Sequence, residues 1–297
     1  LFSWFKHLIP GVAVTTALIS IAPTQAQPSA FDALSDVTYW TDLCRLQANV
    51  KDYENALAAC EQAIALEPED ADIWAQHSGI LVSLDAFPDA IASANRALTF
   101  DPENSLAIAY QCVAYTSLGE NETALDKCND ALRVNGNWGS ENPALAWFYR
   151  GEILAQAQQY ELALVAYERT LLLEPENSLV LTHQCKAYGA LERSEESVDS
   201  CESALAIDQN WGESSPAHAW TYLGQAHTQL SEYDQAIFAY DQAIALDAKN
   251  SLTWVAQGQV LEALRRDQEA LVSYDQAVAI KADYALALLG QCTLLNR

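Results

Sequence analysis

Residues 217–250 read AHAWTYLGQAHTQLSEYDQAIFAYDQAIALDAKN. In the first half Trp220, Leu223, Gly224 and His227 fall three or four apart, and in the second half Ala236, Ile237, Tyr240 and Ala243 do the same. That is the period of an α-helix with one inward face, not of a strand. Ser231-Glu232-Tyr233 interrupts the pattern, so the stretch predicts two antiparallel helices joined by a short turn. Gly224 and Ala236 are small where the helices must approach, and Trp220 and Tyr240 are large where space must be filled. A pair this short cannot bury its apolar face alone and needs neighbours of the same build.

The chain supplies them. With Ala217 as position 1, the pattern W-x2-L-G-x2-H…A-x3-Y-x2-A resembles the tetratricopeptide repeat, a 34-residue helix–turn–helix unit, with Ala248 where that repeat usually has proline. The same frame fits 37–70 (Trp40, Leu43, Cys44, Ala56, Cys60, Ala63, Pro68), 71–104 (Trp74, Ser78, Leu81, Ala90, Ala94, Ala97, Pro102) and 144–177 (Trp147, Gly151, Leu154, Ala163, Tyr167, Pro175). It also fits 251–284 (Trp254, Gly258, Leu261, Ala270, Tyr274, Ala277), and a partial unit occupies 285–297. Units 105–143 and 178–216 each run five residues over, through Asn137-Trp138-Gly139 and Asn210-Trp211-Gly212 to a proline. Ser105-Leu106, Ser178-Leu179 and Ser251-Leu252 recur every 73 residues, which points to growth by duplicating pairs. In the two longer loops glycine is expected to end a helix, tryptophan to cover its end and proline to set the next helix. A contact site built on both Trp loops is the alternative. The resemblance implies an all-α superhelix, a solenoid of antiparallel pairs with seven full repeats plus a terminal helix.

Leu1–Ala26 has Lys6 near its front, an apolar run from Leu8 to about Ala22, and Thr24-x-Ala26 at its end. This is the layout of a signal peptide cleaved after Ala26, followed by a linker at 27–36 and the repeat array at 37–297. The run is short for a spanning helix and Pro10 breaks it, so a retained anchor is the weaker reading, and no membrane-embedded body is expected. The chain of 297 residues carries 40 acidic against 15 basic residues, a net charge of −25, made more negative when Lys6 is removed. Such a surface repels phosphate backbones, so no nucleic-acid partner is expected. The expected location is periplasmic or secreted.

No glycine-rich phosphate loop, HExxH or GxSxG motif is present. His183 and Cys185 lie two apart and point away from each other on a helix. No cofactor, metal site or enzyme activity is expected. The cysteines have a pattern of their own. Cys44/Cys60, Cys112/Cys128 and Cys185/Cys201 are each 16 apart, at positions 8 and 24, which face each other across a hairpin. Where position 8 is Gly or Ser, position 24 is Tyr or Ala, so the cysteines occur together or not at all. Three disulfides are expected, the alternative being cysteine as a small apolar filler. Cys292 sits at position 8 of the partial unit and is left free or intermolecular, on a stripe with Leu288 and Leu295. That stripe has four readings: a chain that extends further, a docked partner, a homodimer through this C-terminal helix, or a helix turned fully onto the last repeat with Cys292 buried.

In tetratricopeptide proteins the first helices line a concave groove that meets the ligand. By resemblance the groove here includes Tyr110, Phe148, Tyr149, Glu152, His183, Lys186, Thr221, Tyr222, Gln225, Gln229 and Gln259, with Arg45 near its start. Arg45 and Lys186 are too few cations for a carboxylate clamp. Aromatic anchors and glutamine amides suit an extended peptide or amphipathic helix. The expected function is therefore a non-enzymatic protein-interaction scaffold outside the cytoplasm. A thiol-redox protein and a self-associating structural oligomer are the alternatives.

Overall fold

The structure is a computed structural model that describes residues 36–139, 141–212 and 215–296. The segment read as a signal peptide and nearly all of the linker lie outside the described residues. Fifteen helices and no strands make up the described chain. Seven hairpins follow one another: α1 (Val37–Asn49) with α2 (Tyr53–Leu66), α3 (Ala71–Ser83) with α4 (Phe87–Phe100), α5 (Ser105–Ser117) with α6 (Asn121–Val134), and α7 (Ala144–Gln156) with α8 (Tyr160–Leu173). Then come α9 (Ser178–Ala190) with α10 (Ser194–Ile207), α11 (Pro216–Gln229) with α12 (Tyr233–Leu246), α13 (Ser251–Ala263) with α14 (Asp267–Ile280), and the single helix α15 (Ala285–Leu295).

Short polar side chains start the first helices. Asp36, Asp70, Asn104, Asn177 and Asn250 each accept a hydrogen bond from a backbone N–H of the first turn that follows, satisfying donors that the helix itself cannot. The turn inside every hairpin hinges on one residue with positive φ: Lys51, Asp85, Gly119, Gln158, Glu192, Ser231 and Arg265, all at position 15 of their units. Only one of the seven is glycine.

Each second helix packs on its own partner and on the next first helix, whereas first helices also touch the first helices on either side. The first helices therefore form the inner layer of an all-α solenoid. Its core is small. Ala56, Ala63, Ala90, Ala97, Ala124, Ala131, Ala163, Ala204, Ala236 and Ala270 are all fully buried, which lets the helices approach closely. Position 8 meets position 24 in two ways in six of the seven hairpins, the second having Ser78 and Ala94 there. In three hairpins it is Gly151 under the ring of Tyr167, Gly224 under Tyr240 and Gly258 under Tyr274, where an added Cβ would lie 2.5–2.7 Å from the ring. In three others it is Cys44 facing Cys60, Cys112 facing Cys128 and Cys185 facing Cys201, with Cα atoms 5.2, 5.2 and 5.3 Å apart. That spacing fits disulfides.

Tryptophan at position 4 has a polar task as well as a packing one. The indole N–H of Trp74 donates to the Pro68 carbonyl and that of Trp254 to the Ala248 carbonyl, both 2.9 Å, tying a first helix to the preceding loop. Because the acceptor is a backbone carbonyl, Ala248 serves as well as proline. Position 7 adds links between hairpins: Gln111 donates to Asn95, Gln257 to Asp241 and Gln291 to Asp275.

The two longer loops correct the expectation placed on their glycines. The left-handed residues that end α6 and α10 are Asn135 and Asp208. The loops then fold back onto the first helix of their own hairpin: the Leu106 N–H donates to the Asn137 carbonyl, and the Leu179 N–H to that of Asn210. Asn137 also reaches Asp72 at the start of α3, 2.6 Å away, beside Asn104, which donates to the same carboxylate oxygen. Trp138 and Trp211 are half-buried against the hairpin core, their indole N–H groups donating to Asn135 and Asp208. Gly139 and Gly212 keep positive φ where Leu106 and Leu179 press close, a conformation that favours glycine.

Candidate functional site

The inner layer carries a track of aromatic and polar side chains. It begins in the N-terminal half with two neighbouring cavities of about 380 and 350 Å³. The first is walled by α1, α3 and α5, the second by α5, α7 and α9, and both share Tyr110 and Glu141. Tyr110 is held there because Gly79 has no side chain: a Cβ at that position would fall 2.4 Å from the ring. Burial and, after it, the charge of Glu141 push the Tyr110 hydroxyl well above its usual range, so it stays a neutral donor. Phe148 and Tyr149 continue the track, their rings edge to face at 5.3 Å.

Next comes the most polar cluster on the face. Glu152 Oε1 accepts a hydrogen bond from the Tyr167 hydroxyl at 2.6 Å and lies 2.5 Å from His183 Nδ1. The His183 ring stands edge-on to Phe148, with centroids 5.5 Å apart. Burial alone would raise the Glu152 carboxyl, but the hydrogen bond and charge of His183, with help from Tyr167 and Lys186, hold it below its ordinary value. Lys186 is exposed, and its ammonium lies 5.8 Å from the centroid of the half-buried Tyr222 ring.

The residues singled out in the sequence divide. Tyr110, Phe148, Tyr149, Glu152, His183, Lys186, Tyr222 and Gln225 keep at least part of their surface open on first helices, and Gln259 is exposed on α13. Gln229 is exposed but already engaged, donating to the Gly189 carbonyl and accepting from Ser194. Thr221 requires correction. It is buried, with its hydroxyl bonded to the Ala217 carbonyl and 2.9 Å from Thr253, so it ties α11 to α13 and offers nothing to a ligand. A frame position fixes a helix face only to within one residue, about 100° of rotation, and Thr221 falls on the wrong side of that margin. Tyr167 and Glu141 were missed. Position 24 reads as packing, yet the Tyr167 phenol is long enough to bring its hydroxyl to the inner face. Glu141 belongs to no helix, and the five-residue extension was the signal for it. Among the described residues no group of His, Cys, Asp and Glu is arranged to hold a metal ion, and no helix is long and apolar enough to cross a membrane.

Comparison with known proteins matches this geometry. Models of the tetratricopeptide repeat match residues 42–105, 144–177 and 217–250. The chain contains tetratricopeptide repeats. A stretch of 101 residues is 28% identical to a DnaJ homolog subfamily C member 7 homolog of Dictyostelium discoideum, covering 32% of this chain and 17% of that protein. The chain thus spans less than a fifth of that relative. Among solved structures, the APC/C hetero-tetramer Cut9–Hcn1 superposes with a TM-score of 0.66 at 18% identity, over 87% of this chain and 52% of that one. PilW, described as a widely conserved type IV pilus biogenesis factor, superposes with a TM-score of 0.59 at 18% identity, over 70% of this chain and 92% of its own. At these identities the likeness is one of fold.

Proposed function

We propose that the chain is a non-enzymatic protein-interaction scaffold that binds a peptide or helix along its inner, first-helix face, outside the cytoplasm. The observation that carries the reading is the track itself: half-buried Tyr110, Phe148, Tyr149 and Tyr222 on successive or alternate first helices, beside two cavities and the amide of Gln225. Rigid aromatic rings supply contact area at low entropic cost, and amides supply backbone hydrogen bonds to an extended chain. Changing Tyr149 and Tyr222 together to Ala is expected to abolish capture of the partner taken from envelope extracts by the full chain, with helical content by circular dichroism unchanged. Capture that survives puts the partner on another face; lost helicity makes the two rings core residues.

The close cysteine pairs support the location, because disulfides persist in oxidising compartments. With the reading of 1–26 as a signal peptide, the tagged chain is expected at its processed mass outside the cytoplasm. Unprocessed cytoplasmic protein ends that part of the proposal. The thiol-redox alternative is less well supported, since all six paired cysteines have 0% exposure and attack on a sulfur needs access. Self-association has one observation in its favour. On α15 Leu288, Cys292 and Leu295 are exposed. A dimer in light scattering that is lost in Leu288→Asp, or in Cys292→Ser under oxidising conditions, would establish it, and a monomer at high concentration would remove it.

A further inference from the structure

The proposed groove leaves open what kind of peptide it takes, and its N-terminal half has a chemistry of its own. The loop that follows α6 joins the third hairpin to the fourth. At Gly136 and Asn137 it folds back onto the start of α5, where the Leu106 N–H donates to the Asn137 carbonyl and the Gly136 N–H to the Ser105 hydroxyl. Asn137 anchors it further by its bond to Asp72, and Asn142 closes it by accepting from the Ala144 N–H at the start of α7. Between these anchors stands Glu141. It lines both cavities and is exposed, and among the described residues no side chain donates to its carboxylate. A loop tied at both ends thus holds an unpaired anion at the junction of two cavities.

The surroundings are matched to a donor. Tyr110, the other residue common to both cavities, forms an aromatic wall next to Glu141. Gln76 also lines the first cavity. In the second cavity Glu174 adds another carboxylate, and no Lys or Arg lines that cavity. The one cation in the first, Arg45, is paired with Asp42 at 2.6 Å. A ligand that complements this stretch brings positive charge and N–H donors.

Resting on the reading of the inner face as a peptide groove, we propose that its N-terminal half selects extended peptides carrying a lysine or arginine. The basic side chain lies along the Tyr110 ring and ends on Glu141, with neighbouring side chains of the peptide in the two cavities. An aromatic wall beside a carboxylate is a favourable seat for such a side chain, because the ring covers the aliphatic stem and attracts the cation while the carboxylate receives its hydrogen bonds. The net charge of −25 draws basic chains in from a distance, but Glu141 gives the attraction a location and a register.

The test is selection of a displayed library of random twelve-residue peptides on the full chain, with wild type, Glu141→Gln, Glu141→Lys and the surface control Glu161→Gln compared. Enriched peptides are expected to hold a lysine or arginine at a fixed place between apolar residues. Affinity of the best synthetic peptide is expected to fall roughly tenfold in Glu141→Gln, further in Glu141→Lys, and little in Glu161→Gln. Replacing its basic residue with norleucine should remove the difference between wild type and Glu141→Gln. Enriched peptides without a basic residue, still displaced by the Tyr149→Ala/Tyr222→Ala changes, overturn the charge inference and leave the groove standing. Equal losses in Glu141→Gln and Glu161→Gln reduce the effect to overall charge and also overturn it. Peptides indifferent to every inner-face change overturn the groove and this inference with it.

Discussion

Glu152 shows how a side chain legible as a surface position becomes part of a network. The repeat frame places it on the inner face, but not that Tyr167 and His183 converge on the same carboxylate oxygen, because one comes from the partner helix and the other from the next hairpin. The consequence is measurable. A carboxyl held below its ordinary value near 4.5 stabilises the fold fully above that pH, and the contribution is lost as pH falls through the lower folded-state value. Glu152→Gln is therefore expected to cost about 1–3 kcal/mol at pH 7, with the difference from wild type narrowing in urea titrations at pH 4 and below. A difference constant with pH would mean that the charge of Glu152 plays no part. Thr221 marks the opposite limit. One residue of helical rotation separates a ligand contact from a buried hydroxyl, and only the neighbouring Thr253 decides which it is.

At the scale of the element, the helices and their pairing were readable because the apolar period is strong and small residues recur where axes must approach. The turns were read as breaks without their conformation. Position 15 is left-handed in every hairpin, and its occupants are Lys51, Asp85, Gln158, Glu192, Ser231 and Arg265 besides Gly119. Side chains with a Cβ are disfavoured there by about 1–2 kcal/mol, and glycine gives back part of that through its greater freedom in the unfolded chain. Gln158→Gly, at φ 59° and exposed, is thus expected to raise stability by about 0.5–1 kcal/mol, seen as a higher melting temperature. A lower one would reveal that the Gln158 side chain contributes more than its backbone conformation costs. The longer loops were legible as insertions. Their return onto α5 and α9 was not, because it depends on a few hydrogen bonds between residues more than 30 positions apart in sequence.

The molecule as a whole is an array in which contacts run only between neighbours, so its stability is a sum of local terms. Those terms alternate. The first, third and fifth hairpins hold a cysteine pair at positions 8 and 24; the fourth, sixth and seventh hold glycine under tyrosine. Mass spectrometry without reductant is expected to find six of the seven cysteines paired and Cys292 labelled by a thiol reagent. Reduction should lower the melting temperature, each closed loop contributing about 3 kcal/mol in the chain-entropy model. Six free thiols in the native protein would leave the cysteines as packing residues only.

That alternation also sets how the molecule behaves under tension. A bridge joining residues 16 apart hides about 50 Å of chain from a pulling force, since extended residues span at most ~3.3–3.6 Å each. Drawn from its two ends, the array should yield first in the hairpins that no bridge crosses, α3 with α4, α7 with α8 and those beyond α10, and let out their helices to full length. The bridged hairpins resist longer and give way as short steps. With reductant present, each of the three should release its extra ~50 Å, so a force–extension record reads the cysteine pattern directly as three lengthened steps. The protein is thereby a tether in which stiff and compliant hairpins alternate as far as α10 and compliant ones follow, a pattern set by which residue faces position 24.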